Sequence, residues 1–239
     1  MKIAAVIVLL TVFPGLSSLA DPEILIENDT VEFGLVPQRS RFVHDFKVRS
    51  IGDDTLIIRE IETFCDCLIV SLDRNILPPG DSAIIHIAFD TQNFVGHRNR
   101  HPKVHTNAAN TGPKVLRVHI KSQVIDSVHN LYPIYVKPHQ VVASQFGDTG
   151  ATEFSFPIIN KSDENIPLTL VHADSTFYHL DFPAYVPPYD TAFGRVILKE
   201  SGLSAEFETS ITFWYLNEDS EQKYYSIPVR RNIFRPSSK

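Results

Sequence analysis

Hydrophobic and polar residues alternate with a period of two in short bursts along this chain, and no helical period persists. Phe42, His44, Phe46 and Val48 fall on one face of a strand, opposite Val43, Asp45, Lys47 and Arg49. Ala83, Ile85, Ile87 and Phe89 repeat the pattern, as do Leu116, Val118 and Ile120 opposite Arg117, His119 and Lys121. Turn-forming residues separate the bursts at Ile51 to Asp54, Pro78 to Asp81, Asn107 to Gly112 and Asn160 to Asp163. Many short strands at a spacing of roughly ten residues predict an all-β sandwich, in which each apolar face meets a second sheet.

The start of the chain breaks this pattern. Met1-Lys2, an apolar run from Ile3 to Phe13, Pro14-Gly15 and then Ser18-Leu19-Ala20 have the form of a secretory signal peptide over 1–20, with the mature chain beginning at Asp21. The apolar run is shorter than the roughly 20 helical residues needed to cross a bilayer. No transmembrane segment is therefore expected in the mature chain, and an exported location, periplasmic or extracellular, is. The remaining 219 residues suit two domains of about 100 residues each.

Internal echoes point the same way. Phe33-Gly34 returns as Phe146-Gly147, and Pro78-Pro79 as Pro187-Pro188, at offsets of 113 and 109 residues. The expected organisation is a first immunoglobulin-like domain over 21–126, a proline-bracketed linker over 127–138 and a diverged repeat over 139–239. A formal net charge of -6 gives no broad electrostatic footprint for nucleic acid. Two cysteines are too few for a disulfide scaffold, so the stability must come from cores, which 16 Phe and 8 Tyr can fill.

The order of motifs in the first half resembles the exported bacterial family called domain of unknown function 1573, a branch of the hydin-like (ASH) immunoglobulin superfamily. The residues that carry the resemblance are Phe33-Gly34, Ser50-Ile51-Gly52 before Leu56, Cys65-Asp66-Cys67-Leu68, Pro79-Gly80 and Thr106-Asn107, within Thr30 to Val124. Ser50 stands where the family pattern has Asn, Asp66 where it has Gly, and Leu68 where it has Thr. The resemblance implies two tandem immunoglobulin-like β-sandwich domains and no particular activity.

Cys65 and Cys67 are the main candidates for chemistry. On an extended strand residues i and i+2 face the same way with Cα atoms about 6.6 Å apart, toward the long end of disulfide geometry. A disulfide here needs a bent backbone, which Asp66 favours less than Gly would. Buried free thiols, or two thiolates sharing a soft ion such as Cu or Zn, are the alternatives. His97, His101 and His105 recur every four residues and could add metal ligands, but Gly96 and Pro102 exclude the helix that would align them, so solvated histidines are expected. His44, His86 and His119 read as half-buried strand residues.

Tyr185 and Tyr189, flanking Pro187-Pro188, and the basic pair Arg98 and Arg100 are the candidate partner-binding residues. No elbow serine, phosphate loop or converging carboxylate pair suggests an enzyme. The Asn28 and Asn160 glycosylation patterns read as ordinary turns. The sequence thus predicts a non-catalytic binding or scaffold protein of the bacterial cell envelope, without a cofactor, meeting another envelope protein or a surface polymer. The alternative is a periplasmic metal-binding or thiol-redox protein centred on Cys65 and Cys67.

Overall fold

The computed structural model describes residues 20–111, 115–117, 119–125, 132–147 and 150–235. The expected signal segment, apart from Ala20, lies outside the described residues, as does 127–131 of the expected linker. The first half consists of β1 (Ile24–Ile26), β2 (Thr30–Pro37), β3 (Arg41–Ser50), β4 (Leu56–Glu62), β5 (Leu68–Leu72), β6 (Ile76–Leu77), β7 (Ser82–Asp90), β8 (Gly96–Arg100), β9 (Lys103–Thr106), β10 (Val115–Arg117) and β11 (His119–Ile125). The second half consists of β12 (Ile134–Val136), β13 (Val141–Val142), β14 (Gln145–Phe146), β15 (Glu153–Asn160), β16 (Ile166–Pro167), β17 (Thr169–Ala173), β18 (Tyr178–Asp181), β19 (Tyr185–Val186), β20 (Thr191–Leu198), the short helix α1 (Glu200–Ser204), β21 (Phe207–Leu216), β22 (Gln222–Arg231) and β23 (Ile233–Phe234).

Alternation produces two cores. On β7 the apolar positions Ala83, Ile85, Ile87 and Phe89 are all buried, facing Phe33, Phe42, Phe46, Leu56 and Val104 in the first core. Phe156, Ile158, Ile211, Phe213, Tyr225 and Ile227 anchor the second. One sheet of each half has the same connection order, β1-β3-β7-β5 and β12-β15-β20-β18. The linker ends earlier than the expected 127–138: Ile134 and Val136 are buried in the second core and make β12 part of a sheet. Burial of two alternate aliphatic residues outweighs the extended preference of the flanking prolines Pro133 and Pro138.

The halves share one sheet, ordered β17-β21-β22-β2-β11-β8 with β13 beside β22. At the joint Leu35 on β2 pairs in parallel with Tyr225 on β22, and the Leu35 side chain packs on the second core. Gly34 permits this approach: its φ is +66°, and a Cβ there would lie 1.9 Å from the Tyr224 carbonyl oxygen. Small hydroxyl side chains complete the contact. Ser226 Oγ donates to the Phe33 carbonyl at 2.8 Å and bonds Thr212 Oγ1 at 2.8 Å, while Ser210 Oγ accepts from the Val43 amide at 3.1 Å. All three are fully buried, and Ser226 and Ser210 satisfy backbone groups that a larger apolar residue would hold apart.

Equivalent turns of the two domains are built differently. Asn160 is buried, and its side-chain amide nitrogen donates to the carbonyls of Glu164, Val186 and Pro187 within 2.6 to 3.1 Å. Its Oδ1 accepts from both the amide and the hydroxyl of Ser162. Asn160 is thus a structural clamp with no amide group free for a glycan, where the sequence suggests an ordinary turn. In the first domain Ser50 takes the same place, its amide bonding Asp81 as the Asn160 amide bonds Asp190. Ser50 is also buried, yet its Oγ has no hydrogen-bond partner. Serine is too short to reach across this turn.

His44 occupies an apolar position of β3 but turns toward the second domain, with its ring 5.1 Å from that of His172 on β17. Burial pushes the His44 imidazole down to about 4, and His172 adds to the effect while Asp45 opposes it. His172 is lowered chiefly by burial, against Asp45 and Asp174. His86 also lies at this contact, with Nδ1 2.7 Å from Asp45 Oδ1.

Two outcomes are expected. Ser50→Asn should raise thermal stability by about 1 kcal/mol by supplying the missing hydrogen bonds, measured against Asn160→Ser, which should lower it. As for pH, a folded-state His44 value below the unfolded 6.5 means that the unfolded chain binds more protons between 6.5 and about 4. Stability should therefore fall as pH drops through that window, by up to about 3 kcal/mol from His44, and His44→Gln should flatten the slope in urea titrations at pH 7, 5.5 and 4.

Candidate functional site

The region around Cys65 and Cys67 sits where β4 ends and β5 begins. The two cysteines form a disulfide with Cα atoms 5.2 Å apart. The bend comes from outside the pair: Phe64 has a φ of 59°, whereas Asp66 has no positive φ. Shifting the kink one residue before Cys65 lets Asp66 occupy the place of the family's glycine. Thr63 Oγ1 donates to the Cys65 carbonyl at 3.3 Å, and the Asp90 amide donates to the Cys67 carbonyl at 2.8 Å, which fixes Cys67 to β7. Cys67 is 2% exposed and belongs to the first core, while Cys65 is half-buried at its margin.

A three-residue loop contributes only about 1.6 kcal/mol of chain-entropy stabilisation, against about 4.7 for a 100-residue loop. The bond therefore does little for the fold as a whole. In the second domain the place of Cys67 is taken by Phe177, whose carbonyl accepts from the Lys199 amide and whose ring stacks on Phe207 at 4.5 Å. An aromatic stack fills that position without covalent chemistry.

Basic residues border the disulfide. Arg100 Nε donates to Cys67 Sγ at 3.1 Å. The guanidinium carbons of Arg98 and Arg100 lie 5.1 and 5.7 Å from the Phe94 ring centre, and Lys103 Nζ lies 4.5 Å from that of Phe64. Among the described residues neither arginine is ion-paired with a carboxylate. The spacing of Arg98 and Arg100 placed both on one face of β8, as period two requires, but only the fold brings that face to Cys67.

The three regularly spaced histidines are separated. His97 lies on β8, His101 in the turn after it, and His105 on β9, where Nε2 is 3.4 Å from Glu62. Among the described residues no group of three or more His, Cys, Asp or Glu comes together to hold a metal ion, and in a disulfide neither cysteine offers a thiolate. Tyr185 and Tyr189 are exposed by 53% and 73%, with Tyr189 at a φ of 52°. Much of the aromatic stretch around them is core, although Phe193 is 58% exposed.

Three sheet edges differ in what they offer. β8 has part of its acceptors engaged, because Arg98 and Arg100 donate to the carbonyls of His97 and Asn99. β17 is broken by a bulge between Leu170 and His172. Among the described residues β5 pairs only with β7, in unbroken register from Leu68 to Leu72. Beside it runs a groove of about 230 Å³ toward β4, lined by Ile58, Ile61, Val70 and Leu72 with Arg59 and Asn75. A second cleft of about 450 Å³ lies at the domain joint, bordered by Glu32, Gln123, Tyr132, Tyr215 and Tyr224. The sequence signalled neither, since both depend on how strands from distant segments meet.

A family model described as protein of unknown function (DUF1573) matches residues 24–124. No curated protein matches the chain. Among solved structures it is similar to a protein of unknown function from Porphyromonas gingivalis W83, at 13% identity over 87% of this chain and 99% of that one, with a TM-score of 0.34. It is also similar to an ASH/PapD-like domain of human CEP192, at 10% identity over 54% and 99% of the two chains and a TM-score of 0.39. The periplasmic chaperone SfaE is 13% identical over 88% and 99%, with a TM-score of 0.30. The segment matched by that family model, residues 24–124, holds the first core and the cysteine pair.

Proposed function

We propose that this is an exported binding protein that holds an extended segment of another envelope protein against β5. The observation that carries the reading is the free outer edge of β5 next to an apolar groove. An added strand gains main-chain hydrogen bonds from the edge, and its alternate side chains fill the groove over Ile58, Ile61, Val70 and Leu72. Among the described residues no strand covers this edge, and Ile69 on β5 is exposed. The joined domains hold the edge in a fixed frame, which reduces the ordering cost of binding.

The absence of a long apolar helix among the described residues is compatible with a protein that works outside a bilayer. The test is a displayed library of ten-residue peptides selected on the intact mature protein. Peptides with alternating apolar residues are expected, with binding at least about tenfold weaker to Val70→Lys, which points a charge into the groove edge. The control Leu170→Lys, on β17, should bind as the wild type does. Failure to select peptides, or peptides indifferent to Val70→Lys in a variant that remains folded, would contradict the proposal.

A further inference from the structure

We infer that Cys65–Cys67 is a polarised thiol–disulfide exchange site, in which an incoming thiolate attacks Cys65 and Arg100 receives the charge that develops on Cys67. This activity is independent of strand addition at β5. Three observations carry it. The two cysteines differ in exposure, with Cys65 half-buried at the margin of the core and Cys67 2% exposed within it. The more buried cysteine has an N–H donor on its Sγ, Arg100 Nε at 3.1 Å. That arginine is held in place by the Phe94 ring and by its bond to the Asn99 carbonyl, and no carboxylate among the described residues neutralises it.

A disulfide sulfur is a weak acceptor, whereas a thiolate is a strong one. The Arg100 contact is therefore worth more after the S–S bond breaks than before, which is the condition for favouring that step. Lys103 beside Phe64 adds positive charge at the approach to Cys65, partly offset by the exposed Asp66. Depressed thiol values in such electropositive, partly accessible settings characterise exchange-competent cysteines, and a low leaving-group value speeds the exchange.

The co-reactant is a dithiol, either a small molecule or a pair of protein cysteines. One thiolate of the dithiol attacks Cys65 Sγ. The Cys65–Cys67 bond breaks, and its electron pair leaves on Cys67 Sγ against Arg100. The second thiol of the reductant loses its proton to solvent and attacks its own sulfur in the mixed disulfide. Cys65 leaves as a thiolate and takes up a proton, and the reductant departs as a disulfide. Two electrons pass to the protein. The reverse sequence oxidises a dithiol partner.

The experiment uses dithiothreitol on the folded mature protein, with acid quenching, alkylation and mass measurement, while circular dichroism monitors the fold. Reduction without unfolding is expected. Arg100→Gln should slow it about tenfold and move the thiolate absorbance of the reduced protein to higher pH, and Arg100→Lys should restore part of both. Cys67→Ser should accumulate a mixed disulfide with oxidised glutathione at Cys65, whereas Cys65→Ser should leave Cys67 unmodified. A disulfide that dithiothreitol reaches only after denaturation, or an Arg100→Gln protein with unchanged rate and thiolate titration, would overturn the inference. The thiolate titration separates a loss of charge stabilisation from a merely structural effect of the substitution.

Discussion

The approach of two backbones at Gly34 and Tyr224 determines how the rest of this molecule is arranged. A sandwich domain normally ends its sheets at edges that solvent or side chains must cover. Here β2 of the first domain meets β22 of the second, so one sheet passes through both domains. Only a residue without Cβ fits, because 1.9 Å to a carbonyl oxygen leaves no room for a methyl group. The buried hydroxyls of Ser210 and Ser226 meet backbone groups of β3 and β2 that would otherwise be buried without partners, and Thr212 Oγ1 bonds Ser226 Oγ. The ion pairs across the joint, such as Arg41 with Glu208 at 3.4 Å, are about one-third exposed and contribute little by comparison.

From that frame follow the properties of the two candidate sites. With β2 and β11 locked into the shared sheet, β8 becomes its outer strand and carries Arg100 to Cys67. β5 remains the last strand of its own sheet, directly after the disulfide. The second domain keeps the connection order but replaces Cys67 with Phe177 and its stack on Phe207. The same structural position is thus filled once by apolar packing and once by a reducible bond with a cation on it. Since the short loop adds little stability, the contrast bears on chemistry more than on folding.

Strand alternation was legible in the sequence because burial follows a period of two directly, as at Ala83, Ile85, Ile87 and Phe89. The family resemblance of the first half was legible for the same reason, through turn and core residues at fixed order. The echo between Phe33 and Phe146 proved unequal: Phe33 is fully buried, whereas Phe146 is 74% exposed and stacks on Phe234 at 4.9 Å. Periodicity cannot show which face of a strand a second domain will cover, so the serines of β21 and β22 read as ordinary polar positions. Arg231 makes the point most sharply. Nothing local separates it from Arg230, yet Arg230 reaches Glu208 at 3.1 Å near solvent, while Arg231 is buried with its guanidinium on the carbonyls of Ala143 and Leu203 and on Gln145. The even spacing of His97, His101 and His105 has no meaning in the fold, where a turn separates β8 from β9.

The central claim is that the two sandwiches are one mechanical unit joined at Gly34. Differential scanning calorimetry of the mature chain and of Gly34→Ala tests it most directly. The account predicts a single cooperative transition for the wild type, with equal calorimetric and van't Hoff enthalpies. For Gly34→Ala it predicts two separated transitions, as the joint opens while both cores persist. Two independent transitions in the wild type, or an unchanged single transition in the variant, would contradict it.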